Sequence, residues 1–224
     1  MPALTTLELI RRVPLFATLT PAQAEALLPT ARQYRCRRGE VIVEQGQISD
    51  RLAIVICGRA RVFTADARGR EVVLAQVHPG DCIGEMSLID RQPHSATVCA
   101  EVPTDLLIIG QAGFARCLAE NNVLAYSLMR GLVDRLRDAD RKIESLALLD
   151  VYGRVVRALL DMARQDAAGR LIIRERVSRQ GLARVIGASR EMVSRVMKDL
   201  QRRGLIEVDA QGRTVVHEHV RAPG

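Results

Sequence analysis

The 224-residue chain has no tryptophan, only three phenylalanines and only three tyrosines. That scarcity excludes the aromatic platforms on which proteins stack single-stranded nucleic acids. Its five cysteines, Cys36, Cys57, Cys82, Cys99 and Cys117, are odd in number and widely separated. Such a pattern suits neither a disulfide framework nor a metal cluster, so a reducing, cytoplasmic setting and no metal are expected. Long apolar runs are missing as well. The opening "MPALTTLELIRRVPLFATLT" is interrupted by Glu8, Arg11 and Arg12, which is unlike a secretory leader, and nothing approaches the ~20 apolar residues of a membrane span. No membrane partner is expected.

Positive charge, by contrast, is in excess: 33 Lys and Arg against 26 Asp and Glu give a net charge of +7. A surplus of this sign points to a polyanionic partner. Most of it lies between Arg174 and Arg213, where ten basic residues face five acids, Glu175, Glu191, Asp199, Glu207 and Asp209. The length leaves room for two modest domains, each able to bury a core.

From about Arg32 to Gly110, short Val/Ile/Leu runs alternate with glycines: "EVIVEQG", "RLAIVICG", "RARVFTADARG", "EVVLAQVHPG", "SATVCAE", "DLLIIG". Strands at such regular spacing predict an all-β sandwich or barrel, with Gly39, Gly46, Gly58, Gly69 and Gly80 as turn residues. The period changes after "QAGFARCLAENN". Ala125, Met129, Leu132, Leu136, Ala139, Ile143 and Leu146 are spaced alternately four and three apart, a heptad seam that predicts one long helix paired with its copy in a homodimer.

The last third predicts a helix over "VYGRVVRALLDMARQ", a turn at "DAAG", a strand over "LIIRERV" and two closely spaced helices. Ser178 is placed to cap "RQGLARVI", Gly187 to turn the chain, Ser189 to cap "REMVSRVMKDLQRRG" and Gly204 to stop it. This is a helix-turn-helix, and the alternation in "LIEVDAQGRTVVHE" adds a β-hairpin wing around Asp209 to Gly212. On the second helix Arg190, Glu191, Ser194, Arg195 and Lys198 share the outward face, while Val193, Val196, Met197 and Leu200 supply the buried one. Arginine can grip guanine O6 and N7 and glutamate can accept from cytosine N4, so the outward face has base-reading chemistry. Ser178, Arg179, Ser189, Lys198, Arg202, Arg203 and Arg213 suit phosphates. Any solvated helix face could carry such charges; cap, turn, wing and charge excess together favour double-stranded DNA.

The strings "GRARVF", "PGDCIGEMSLID", "LALLDVYGRVVRALLDMARQ" and "GASREMVSRVMKDL" resemble the bacterial cyclic-AMP receptor protein/FNR family of transcription regulators, from about Leu15 to His217. The resemblance implies an α+β chain: a jelly-roll-like β-roll of the cyclic-nucleotide-binding kind over 1–121, a dimerisation helix over 122–149 and a winged helix-turn-helix over 150–224. It assigns base reading to Arg190, Glu191 and Arg195, hence a TGTGA-like half-site in an inverted repeat. In the effector turn "GEMSLIDRQPHSATV", Gly84 and Glu85 correspond to the ribose contacts, and Ser95 with the amide of Ala96 to the phosphate contacts. The family's phosphate arginine falls on His94, mostly neutral near pH 7 and without a guanidinium fork. Neighbouring Arg91 is an alternative source of charge.

The pair that recognises adenine in the family falls on Ala139 and Asp140. A carboxylate only accepts hydrogen bonds, and guanine offers N1–H and N2–H2 side by side. Asp140 therefore suits cyclic di-GMP or another guanine-type effector better than cyclic AMP, unless it is merely solvated and paired with Arg137 or Arg141, or no effector is used. Cys36 stands alone near the N-terminus, which disfavours an iron–sulfur sensor. Two rivals are a phosphodiester hydrolase built on Glu85 and His94, which lacks metal ligands and a nucleophile–base pair, and a nucleotide-binding module without DNA. A DNA-binding regulator that is not an enzyme is the expected function, with RNA polymerase as a further partner although the "RQDAAGR" loop diverges from the family's contact segment.

Overall fold

The computed structural model describes residues 5–67, 69–209 and 212–217. Two helices open the chain, α1 (Thr6–Arg12) and α2 (Pro21–Leu27), each started by a reciprocal cap, Thr5 with Glu8 and Thr20 with Gln23. There follow β1 (Ala31–Cys36), β2 (Val41–Val43), β3 (Arg51–Cys57), β4 (Ala60–Ala65), β5 (Glu71–Val77), β6 (Cys82–Ile83), α3 (Glu85–Asp90), β7 (Thr97–Ala100), β8 (Thr104–Gly110), α4 (Gln111–Glu120) and the 27-residue α5 (Asn122–Leu148). The rest is α6 (Val151–Met162), β9 (Arg164–Gln165), β10 (Leu171–Ile173), α7 (Arg179–Ile186), α8 (Arg190–Arg202), β11 (Ile206–Val208) and β12 (Thr214–Val216).

Contacts divide the chain into two units, with the boundary inside α5 between Leu136 and Arg137 and with residues 70–73 grouped with the second unit. In the first, two four-stranded sheets, ordered β1-β8-β3-β6 and β2-β7-β4-β5, face each other. In the first of these sheets β3 and β8 are buried on both sides, whereas β1 is largely exposed. Leu52 and Ile54 of β3 and Leu107 and Ile109 of β8 meet the helices, in a cluster with Ile10, Phe16, Leu27, Phe114, Leu124 and Leu128. Ala53, Val55 and Leu106 point the other way, into the space between the sheets. Two covered faces explain why these strands read as unbroken apolar runs rather than alternating ones. All five expected turn glycines have positive φ. Gly58 needs its lack of a side chain most, since a Cβ there would stand 2.6 Å from Pro103 O.

In the second unit α6, α7 and α8 pack around Val155, Leu159, Leu182, Ile186, Val193, Met197 and Leu200, beside a sheet ordered β11-β12-β10-β9. The α6 helix stops at Met162, three residues before the expected end. Ala163 is extended, and Arg164 and Gln165 pair with Ile172 and Leu171. Asp166 closes that hairpin by accepting from the amides of Ala168 and Arg170, each at 2.9 Å. The expected strand over "LIIRERV" is shortened to Leu171–Ile173. The wing forms as Ile206–Val208 against Thr214–Val216; residues 210 and 211 of its turn lie outside the described residues. The fold is α+β throughout.

Candidate functional site: a DNA-reading helix and an effector turn

Helix α8 owes its position to local chemistry. The Ser178 hydroxyl accepts from Gly181 N (2.9 Å) to start α7, Gly187 ends that helix at φ 64, and the Ser189 hydroxyl accepts from Met192 N (3.2 Å) to start α8. Val193, Met197 and Leu200 are buried against α6 and α7. With that side fixed, Arg190, Glu191, Arg195 and Lys198 are exposed and Ser194 is half-buried. Glu191 is held below the usual carboxylate range, first by its own amide at the helix start and then by the Ser189 hydroxyl, with Arg190 and Arg195 adding to it. An ionised acceptor thus stands between two guanidiniums, all three on one accessible face.

The expected phosphate contacts are less uniform. Lys198 is exposed and Arg179 half-buried. Arg202 and Arg203 both bind Asp199, at 2.5 and 2.7 Å, and Arg203 also lies 5.8 Å over the Tyr152 ring. Arg213 binds Asp209 at 2.6 Å. Ser178 and Ser189 accept as caps; Ser178 keeps its hydroxyl hydrogen to donate, whereas that of Ser189 is directed at the Glu191 carboxylate.

In the first unit the effector turn begins at Gly84, in left-handed backbone (φ 89), where a Cβ would stand 2.9 Å from Arg51 O. Glu85 is buried, and its carboxylate is gripped by the Arg135 guanidinium, which also donates to Cys82 O. Burial raises the Glu85 carboxyl above its ordinary pKa, and Arg135 opposes that rise. Gly84, Glu85, His94, Ser95 and Ala96 line one pocket of about 80 Å3 together with Arg135. Those are five of the six ligand positions expected from sequence; the sixth, Asp140, is not among the residues lining this pocket.

His94 lies in the loop between α3 and β7 and is buried there. Its Nδ1 is 2.9 Å from Ser87 Oγ and its Nε2 3.0 Å from Ser49 Oγ, and burial lowers its pKa. The ring is a neutral bridge between two hydroxyls. Arg91 lines a different cavity.

Arg135 is the functional-site residue that sequence reasoning missed, and there was a signal for it. It stands seven and eleven residues after Leu128 and Leu124, on the face that α5 turns toward the sheet; a cation on such a face needs a buried acid. Asp140, five residues further on, lies about 140° around the helix from Arg135. It is exposed, and Arg141, offered above as its partner, pairs with Asp138 instead.

Along α5, Met129, Leu136, Ala139, Ile143 and Leu146 are exposed as the heptad reading expects, whereas Ala125 and Leu132 are half-buried because Leu124 and Leu128 draw that edge toward the sheet. Tyr126 and Val133 are exposed in their place. The outward apolar stripe therefore runs Tyr126, Met129, Val133, Leu136, Ile143, with Asp140 inside it. Among the described residues no cluster of His, Cys, Asp or Glu could hold a metal ion, and no helix is long and apolar enough to cross a membrane.

A β-roll followed by a winged helix-turn-helix is the architecture of a DNA-binding transcription regulator. The model of the cyclic nucleotide-binding domain matches residues 33–121 and that of the Crp-like helix-turn-helix domain residues 153–220. The cAMP-activated global transcriptional regulator Vfr of Pseudomonas aeruginosa is 34% identical over 201 residues, 86% of this chain and 92% of that one, and the cyclic AMP receptor protein of Thermus thermophilus is 32% identical over 195, 87% and 88%. Among solved structures, the c-di-GMP responsive global regulator CLP of Xanthomonas campestris superposes with a TM-score of 0.72 at 29% identity, covering 88% of this chain and 98% of that one. The chain belongs to the cyclic-AMP receptor protein/FNR family of transcription regulators, which are DNA-binding proteins and not enzymes.

Proposed function

We propose that the protein is a homodimeric transcription regulator that reads a TGTGA-like inverted repeat through Arg190, Glu191 and Arg195, its DNA affinity set by an effector at the Gly84–Glu85 turn. The observation that carries the reading is the α8 face: three side chains with base-edge chemistry, exposed on a helix whose other side is locked into a core. In this reading residues 1–121 sense, 122–149 dimerise along the outward stripe of α5 and 150–224 bind DNA, with RNA polymerase contacted from the bound dimer. Phosphate contacts fall to Ser178, Arg179, Ser189, Lys198, Arg202, Arg203 and Arg213.

The effector is guanine-type, cyclic di-GMP foremost, rather than cyclic AMP. One feature supports the choice of base: Asp140, exposed in the stripe, is an acceptor suited to guanine N1–H and N2–H2 from across the dimer. His94 offers no fixed charge to a phosphate, which departs from the family's cyclic-AMP site. The 80 Å3 pocket is smaller than the roughly 300 Å3 at which small-molecule sites begin, so a nucleotide enters only as Arg135 releases Glu85.

The test is anisotropy on a TGTGA inverted repeat and a scrambled duplex, alone and with cyclic AMP, cyclic GMP or cyclic di-GMP. Preference for the repeat, increased by cyclic di-GMP or independent of all three, supports the reading. Equal affinity for both duplexes refutes the base readers, and tighter binding with micromolar cyclic AMP refutes the effector choice.

A further inference from the structure

The side chains credited above with reading bases, Arg190, Glu191 and Arg195, are all charged. They exchange hydrogen bonds with base edges, but none of them can register the one apolar mark a base pair shows in the major groove, the C5 methyl of thymine. The first turn of α8 also carries a side chain of the other kind. Met192 is 43% exposed, and it is the only apolar residue among the exposed residues of α8.

That exposure is not the loose margin of a core. Val193, Met197 and Leu200 are buried, and Val196, one turn beyond Met192, still packs against them, whereas Met192 belongs neither to that cluster nor to the residues around it. Its backbone is pinned, because its amide donates to the Ser189 hydroxyl at 3.2 Å and so starts the helix. At 100° per residue Arg195 lies about 60° around the helix from it, and side chains three apart are neighbours. A single apolar side chain in water needs no explanation on most surfaces. This one stands directly after Glu191 and beside Arg195, on the N-terminal part that a recognition helix presents to base edges.

We propose that Met192 reads the C5 methyl of one thymine in each half-site, an inference that rests on α8 being the DNA-reading helix. The thioether chain is unbranched, with three rotatable bonds, so it reaches the methyl while Glu191 and Arg195 keep their own bases. The contact takes one methyl of the DNA and the exposed end of Met192 out of water together. It separates thymine from cytosine and from uracil, which lack the methyl, and it accepts 5-methylcytosine, which has it.

The test uses the full chain and the duplex it selects from a random pool, so it does not depend on the TGTGA assignment. Each thymine is replaced in turn by deoxyuridine, which removes the methyl and keeps every hydrogen-bonding group, and binding is followed by anisotropy. Wild type is expected to lose about fourfold at one thymine of a half-site, the effect of burying one methyl-sized group, and roughly fifteenfold when both half-sites are changed. Met192→Ala should bind the thymine duplex about as weakly as wild type binds the uracil one, and should no longer tell the two apart. Met192→Leu, which keeps an apolar chain, should retain most of the discrimination. The side chain is exposed and alanine favours helices, so Met192→Ala leaves folding intact. No loss at any thymine in wild type, or the same loss in Met192→Ala, would overturn the proposal while leaving Arg190, Glu191 and Arg195 as base readers. A chain that selects no sequence from the pool would instead remove α8 as the reading helix, and Met192 with it.

Discussion

Replacing Arg135 by Ala should strand the Glu85 carboxylate. That side chain is only 3% exposed, whereas the Arg135 side chain is 42% exposed. Removing one member of a fully buried pair typically costs about 3–5 kcal/mol; a cation half in water was already solvated in part, which brings the expected loss to about 2–3 kcal/mol. For a chain of this size that corresponds to a melting shift of roughly 5–10 °C in the first unit. The pH dependence identifies the cause. Burial raises the Glu85 carboxyl above its ordinary pKa even with Arg135 present, so the folded state holds this proton more tightly than the unfolded chain. The associated stability is present in acid and is lost as pH rises through the folded-state pKa. Without Arg135 that pKa rises further. The gap between Arg135→Ala and wild type should thus be widest at pH 7–8 and narrow as pH falls toward 5. Glu85→Gln introduced into the Arg135→Ala background should recover most of the loss at neutral pH, because no charge is left behind. Urea unfolding followed by circular dichroism at pH 5, 6, 7 and 8 supplies the comparison. A gap independent of pH, or no recovery in the double variant, would refute the electrostatic account.

Leu136→Asp places a charge at the middle of the exposed α5 stripe and should dissociate the proposed dimer, at a cost of several kcal/mol; sedimentation equilibrium reports it, and an unchanged dimer would move the interface elsewhere. Arg190→Ala should lose about 1–3 kcal/mol on the preferred duplex and relax one base position, a change visible when all four bases are compared there by anisotropy. Gly58→Ala combines a φ of +100° with a 2.6 Å approach to Pro103 O, so a loss of at least about 2 kcal/mol is expected from denaturant melts. Among the thiols only Cys57 is exposed, while burial pushes Cys36 up to about 11 and Cys82 to about 12. A thiol reagent at pH 7.5 should consume one equivalent at once and the other four only on unfolding.

The sequence was most readable where one local rule decides the outcome. The turn glycines, the Ser178 and Ser189 caps and the α7–α8 pair all depend on neighbours a few residues away, and their bounds were predicted closely. It was least readable where partners are distant. Nothing near Glu85 announces Arg135, fifty residues downstream, and nothing near His94 announces Ser49. The α5 stripe shows the same limit: two heptad registers fit the apolar residues, and the choice between Leu132 and Val133 is made by which leucines the β-roll takes up. The helices α1 and α2 went unpredicted because seven residues are too few for a helical period to stand out.

Asp199 and Asp209 give the C-terminal unit built-in counterions. Arg202 and Arg203 share Asp199 and Arg213 has Asp209 to itself, so these three guanidiniums meet phosphates with two of their three charges already offset from within, and binding there in part exchanges one anion for another instead of releasing a bound cation from the DNA at full effect. The slope of log affinity against log salt, about 0.9 per phosphate neutralised, should then be shallower than the ten basic residues from Arg174 to Arg213 would suggest. What remains steeply salt-dependent is the contribution of the proposed phosphate contacts Arg179 and Lys198, for which no ion pair is found among the described residues.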